Sequence, residues 1–110
     1  MAVLANFVFL DTNSTGTTSS TFYVPYGADS VVIQATGAGT LNVTIKGKAD
    51  TENGDFIALA AINQTDYSVA ESITASGIYS VAAGGIREMQ VVNGGNAGDV
   101  TVFGAAIGEG

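Results

Sequence analysis

The chain has 110 residues, no cysteine and no histidine, and its three basic residues stand against ten acidic ones, for a net charge of −7. A chain of this length makes one domain. The missing residue types exclude disulfides, thiolate metal sites and the commonest general base, and the acidic balance argues against nucleic acid as a partner. Only 12% of the residues are charged whereas 46% are hydrophobic. We therefore expect part of the surface to be covered by another chain, the alternative being a merely neutral surface rich in Ala and Gly.

The N-terminal segment predicts a strand over residues 2–10 with apolar side chains on both of its faces. Alternation places Val3, Phe7 and Phe9 on one face, and Leu4, Val8 and Leu10 on the other. A Ser/Thr/Gly loop follows at 13–21, and a short strand at 22–24 ends at the single proline. The segment lacks a basic n-region and a small-residue cleavage site, so we expect no targeting signal. No stretch approaches the ~20 apolar residues of a membrane span, so we expect no membrane partner.

The stretch 30–61 predicts a three-stranded antiparallel meander at the centre of the domain. Its middle run alternates without fault, with Leu41, Val43 and Ile45 on one side and polar residues between them, which is typical of a half-buried strand. The glycines at 37 and 39 predict a hairpin turn before this run. A polar turn at 50–55 separates it from a third strand at 56–62.

Further strands are predicted at 67–74, 78–82, 86–93 and 99–107, each preceded by a turn. Eight or nine short strands at this spacing predict an all-β fold, a single antiparallel β-sandwich of jelly-roll or Ig-like topology. We interpret residues 1–110 as one domain. In this domain 1–29 supply the N-terminal strand and the Ser/Thr-rich loop, and 30–107 form the core meander.

The sequence contains no motif that indicates chemistry, and we expect no enzyme, no cofactor, no metal and no catalytic residue. Asp50, Glu52 and Asp55 lie close together but lack the ligand spacing of a calcium loop. The segment GGNAGD at 94–99 breaks the spacing of a calcium-binding repeat and occurs once. Both are interpreted as turns.

Sugar binding is the competing functional hypothesis, because aromatic side chains near turns can stack on a ligand. Tryptophan is absent. Tyr23 and Tyr26 are the candidate ligand-facing aromatics, although a tyrosine beside a turn is more often a packing residue.

Four segments carry a resemblance to a known kind of protein: VVIQATGAGTLNVTIKGKAD, FIALAAIN, VAESITASGIYSVAAGGIREMQVVN and DVTVFGAA. From Ser30 onward the chain resembles the compact β-sandwich of virion proteins from tailed phages and prophages. The resemblance implies a capsid decoration or head-fibre protein, or a tail or baseplate module, that acts by cohesion or adhesion. It further implies a homo-oligomer, often a trimer, that is assembled in the bacterial cytoplasm and contacts other virion proteins such as the capsid shell. It supplies no catalytic residues.

We therefore expect a phage structural protein that works through contacts between subunits. The predicted interface lies on the N-terminal strand, at Val3, Leu4, Phe7, Val8 and Phe9. The alternatives left open are a glycan- or cell-surface-binding module of a tail or baseplate, and a bacterial filament subunit.

Overall fold

The computed structural model describes residues 2–13, 17–49, 51–94 and 99–108, and within these ranges it is an antiparallel β-sandwich without helices. It confirms the predicted all-β fold. The strands are β1 (Ala2–Asn13), β2 (Phe22–Tyr23), β3 (Ala28–Gly37), β4 (Val43–Lys48), β5 (Ile57–Ala58), β6 (Ala61–Asn63), β7 (Val69–Ala70), β8 (Gly77–Ala82), β9 (Glu88–Asn93) and β10 (Val100–Gly108). No helix in the described ranges is long and apolar enough to cross a membrane.

The ten strands form two sheets that pack face to face. The six-stranded sheet has the order β1-β10-β3-β8-β6-β7, and the four-stranded sheet has the order β2-β9-β4-β5. Alternation along each long strand sends one set of side chains into the space between the sheets, as Val31, Ile33 and Ala35 of β3 show. Fully burying such an aliphatic side chain contributes about 1.5–3 kcal/mol. The core between the sheets therefore holds them together.

The predicted alternation of β4 is confirmed, but the predicted hairpin between β3 and β4 is wrong. Leu41, Val43 and Ile45 are buried as expected. However, β3 pairs with β10 and β8 in one sheet, whereas β4 pairs with β9 and β5 in the other. The connection at 38–42 crosses between the sheets because both strands have an apolar face to bury, and each does so from its own side of the core. A Cβ on Gly37 would lie 2.7 Å from Leu41 Cδ2 and 3.2 Å from the carbonyl oxygen of Asp99, so the chain is tightly packed where the crossing begins.

The single strand predicted at 56–62 is in fact two short strands in different sheets. β5 pairs with β4, and β6 pairs with β8 and β7. Between them the backbone N–H of Leu59 donates to the carbonyl of Ile45 over 2.8 Å. The chain changes sheets within a few residues, a step that the continuous apolar run FIALAAI conceals.

Candidate functional site

The N-terminal strand departs from the predicted alternation because it contains β-bulges. β1 pairs with β10, and the register shifts between Val3 and Ala5 and again between Val8 and Leu10. A bulge sets two residues opposite one on the partner strand, so the side chains after it change faces. Phe9 and Leu10 are consequently both buried although they are neighbours in sequence. The prediction of two cleanly alternating faces on this strand is wrong for this reason.

The five residues predicted as a subunit interface occupy different environments. Phe9 is buried inside the chain, Leu4 and Phe7 are half-buried and pack against the core, and Val3 and Val8 are more than half exposed. Phe7 and Phe9 have their ring centroids 4.9 Å apart, and Phe7 stacks on Phe22 at 5.0 Å. These contacts hold β1 against β2 of the other sheet. Of the five, only Val3 and Val8 point away from the chain.

Val3 and Val8 belong to a larger outward surface on the six-stranded sheet. The strand register places its side chains in three rows across neighbouring strands. The first row is Val8, Phe103, Gln34 and Ile78; the second is Asn6, Ala105, Val32, Ser80 and Ile62; the third is Val3, Ile107, Ser30 and Ala82. No residue of the three rows is charged, and we call them the charge-free face.

The charge-free face contains a shallow depression of about 210 Å³. Its lining combines apolar and amide side chains from the first and second rows: Asn6, Val32, Gln34, Ile78, Phe103 and Ala105. The small residue Ala105 lies between the larger Asn6 and Val32, beside Phe103. The surface there is consequently low between larger neighbouring side chains, a shape that accepts a protruding side chain.

Phe103 and Ile78 were not among the predicted site residues, although a signal for both is present in the sequence. In β10 the buried positions are Val100, Val102, Gly104, Ala106 and Gly108, and Phe103 falls on the opposite phase. In β8, Ile78 is out of phase with the buried Tyr79 and Val81. A large apolar residue on the outward phase of a strand is the pattern that would have identified each of them.

The outward surface of the four-stranded sheet differs, because both lysines of the chain lie on it. One row across its strands is Tyr23, Glu88 and Lys48, and the next is Gln90, Lys46 and Ala58. We call these rows the lysine face. Glu88 is only 6% exposed, and its Oε1 lies 4.0 Å from the Lys48 Nζ. Lys48 also lies over the Phe56 ring, 5.2 Å from the centroid.

The two tyrosines predicted as ligand-facing are both exposed at this side of the sandwich. Tyr26 is 85% exposed and Tyr23 68%. The guanidinium carbon of Arg87, the third basic residue, lies 4.3 Å from the centroid of the Tyr26 ring, which is a cation–π contact. The depression described above is not lined by either ring.

The pKa values of two groups, Asp66 in the turn between β6 and β7 and Tyr79 in β8, are shifted from their ordinary values. The backbone N–H and the hydroxyl of Ser68 both donate to Asp66 Oδ1, at 3.0 and 2.7 Å, and these bonds hold the pKa of the carboxyl below its ordinary value. Burial raises the pKa of Tyr79, whose hydroxyl donates to the carbonyl of Ala75 over 2.7 Å, and the nearby Asp66 adds to this. Both interactions order a turn, and neither group lies in the charge-free or the lysine face.

No group of three or more acidic residues in the described ranges is placed to hold a metal ion. Asp50 of the acidic turn, and residues 95–98 of the second predicted turn, lie outside those ranges.

These two outward faces, on two antiparallel sheets around one core, define the chain as a small β-sandwich. Two solved structures share this fold. SPBc2 prophage-derived protein YomS aligns with a TM-score of 0.79 at 20% identity, over 93% of this chain and 90% of YomS. PBSX exported protein XepA aligns with a TM-score of 0.77 at 19% identity, over 93% of this chain but only 37% of XepA. No protein-family model and no curated protein matches the chain.

Proposed function

We propose that this chain is a non-enzymatic structural protein of a phage or prophage particle, a capsid decoration or head-fibre subunit that acts through contacts between subunits. The charge-free face is the observation that carries the proposal. On a chain with net charge −7, three neighbouring rows of outward side chains without a charge are suited to contact with protein and poorly suited to solvent. The prophage origin named for YomS and the exported PBSX protein XepA, which share the fold, supports a phage-associated role.

Its partners in this proposal are further copies of itself, as the trimers of similar virion proteins imply, and other virion proteins such as the capsid shell. The proposed role of the chain is to hold neighbouring subunits of the particle together. The sandwich positions the outward side chains, and these side chains make the contacts.

The proposal is tested on particles purified from the lysate of a strain that carries the gene. We expect the chain to co-sediment with the particles and to be present at a fixed copy number relative to the major capsid protein, as measured by quantitative mass spectrometry. A chain that remains entirely in the soluble fraction contradicts the proposal. Open-ended filaments of the pure chain in electron micrographs would instead support a bacterial filament subunit.

A second candidate function is recognition of a glycan or cell surface, and the exposure of Tyr23 and Tyr26 favours it. The Arg87 guanidinium against one face of the Tyr26 ring orients that ring without covering it. If this function operates, Tyr23→Ala and Tyr26→Ala abolish binding on a glycan array while the fold is retained. An array on which the wild-type chain binds nothing contradicts it.

A further inference from the structure

We propose that the charge-free face pairs with the same face of a second copy, with Phe103 of each copy entering the depression of the other. This inference rests on the proposed function, because it names the partner and the surface of one subunit contact. The face presents both parts of such a contact. Phe103 is 45% exposed and borders the depression that would receive its counterpart. A two-fold contact of this kind is self-complementary, since each copy contributes the same patch.

The size of the depression fits the side chain that is to enter it. An apolar cavity of about 150 Å³ accepts a benzene ring, and this depression measures about 210 Å³. Val32, Ile78 and Ala105 offer apolar contact to a ring, and the amides of Asn6 and Gln34 lie at its border. Aromatic side chains seated in pockets near the centre of a contact carry most of the binding energy in protein interfaces.

The absence of charge on this face is the reason to choose a second copy as the occupant. At a two-fold axis each residue approaches its own counterpart, so a charged residue near the axis meets a like charge. A different protein has no such restriction and commonly uses complementary charges. The lysine face carries charge in both its rows, with Glu88 and Lys48 in one and Lys46 in the other. The charge-free face has none, as self-pairing requires.

The area of the face fits a small contact between two copies. Three rows two residues apart span about 20 Å along the strands, so four neighbouring strands at ~4.8 Å spacing cover roughly 400 Å² in projection. The relief of the side chains raises the accessible area above this projection, but it stays below the ~800 Å² per partner of a standard interface, so we expect pairing that depends on concentration. The molecule is 36 × 31 × 22 Å, so this face is one of its two broad sides.

The test compares solution masses, by size exclusion with light scattering over a dilution series, for the wild type, Phe103→Asp and a matched control. Ile57→Asp is the control, because Ile57 is an exposed aliphatic residue on the edge strand β5 of the other sheet. We expect the Phe103→Asp mass to fall to half that of the wild type or to the 11.0 kDa monomer, and Ile57→Asp to keep the wild-type mass. Circular dichroism melting of both variants verifies that they are folded.

A cysteine variant provides a second readout that does not depend on destabilising the contact. Since the chain has no cysteine, Gln34→Cys places one thiol beside Phe103 in the first row. Oxidation is expected to give a covalent dimer from Gln34→Cys but not from Ile57→Cys. A wild-type monomer at all concentrations, or Phe103→Asp with the wild-type mass, overturns this inference. The proposed function is tested independently of this pairing. It is contradicted if the chain does not co-sediment with particles, whatever its solution mass.

Discussion

The two outward faces of the sandwich both lie on antiparallel sheets, but their side chains differ in chemistry. On the six-stranded sheet, three successive rows are built from aliphatic, aromatic, amide and hydroxyl side chains. On the four-stranded sheet, Lys48 lies beside a buried carboxylate, Lys46 lies in the next row, and Arg87 contacts the exposed Tyr26 ring. A solvated sheet face ordinarily carries polar and charged side chains, and the lysine face conforms. The difference teaches that the charge-free face is the surface of this molecule least adapted to water, and therefore the one to test for a partner.

The largest predicted effect distinguishes the buried side chains of β1 from its exposed ones, and it is measured by truncating two neighbouring residues. Phe9 is buried over Gly104, where an added Cβ would lie 2.6 Å from the Phe9 ring, whereas Val8 is exposed in the first row. We expect Phe9→Ala to lower the free energy of unfolding by about 3–5 kcal/mol, and Val8→Ala to change it by less than about 0.5 kcal/mol. Urea denaturation followed by circular dichroism measures both.

The same pair of variants decides which β1 residues take part in assembly. A Val8→Ala chain with unchanged stability but weakened self-association places Val8 in the contact. Equal losses of stability for the two variants would contradict the bulged register of β1.

On the lysine face, the pairing of Glu88 with Lys48 predicts an intermediate effect. Lys48→Met keeps a long unbranched side chain but removes the ammonium from the Phe56 ring and from the Glu88 carboxylate, which is almost fully buried. Leaving a buried charged group without its partner costs about 1–3 kcal/mol. We expect a loss of this size in urea denaturation, with no change in solution mass, because the residue is remote from the charge-free face.

The control for this substitution is Lys46→Met in the next row, where no carboxylate lies opposite. It is expected to leave stability nearly unchanged. An equal loss in both variants would show that removing either positive charge from this acidic chain, and not breaking the Glu88–Lys48 ion pair in particular, destabilises the sheet.

The smallest predicted effect concerns Asp66 at the turn beside β6, beyond the charge-free rows. Its pKa is lowered in the folded chain by the two Ser68 hydrogen bonds, so the stabilisation is present above the pKa of the unfolded state. It is lost as the pH falls through the lower folded value. We expect Asp66→Asn to remove this part of the acid sensitivity in thermal melts between neutral pH and about pH 2. Melts of the variant with the same pH dependence as the wild type would assign the acid sensitivity to other carboxylates.

Much of the fold was predictable because strand alternation is a local property. The inward phase of β4 followed directly from Leu41, Val43 and Ile45, and the all-β class from the spacing of the turns. The tyrosines at 23 and 26 are exposed, but their role as ligand-facing residues stays a prediction. The register within β1 was not predictable, because a bulge has no marker in the run of apolar residues that contains it.

The sequence by itself determined that the chain folds as strands, which residues of β4 enter the core, and that its charges are few and mainly negative. The tertiary structure alone decided that β3 and β4 belong to different sheets and that β5 and β6 do so as well. It also decided that Val8, Phe103, Gln34 and Ile78 stand in one row. The physical reason is that side-chain phase repeats every two residues within one strand, whereas pairing joins segments far apart in the chain. The surface that we propose as an interface exists only after those segments have met.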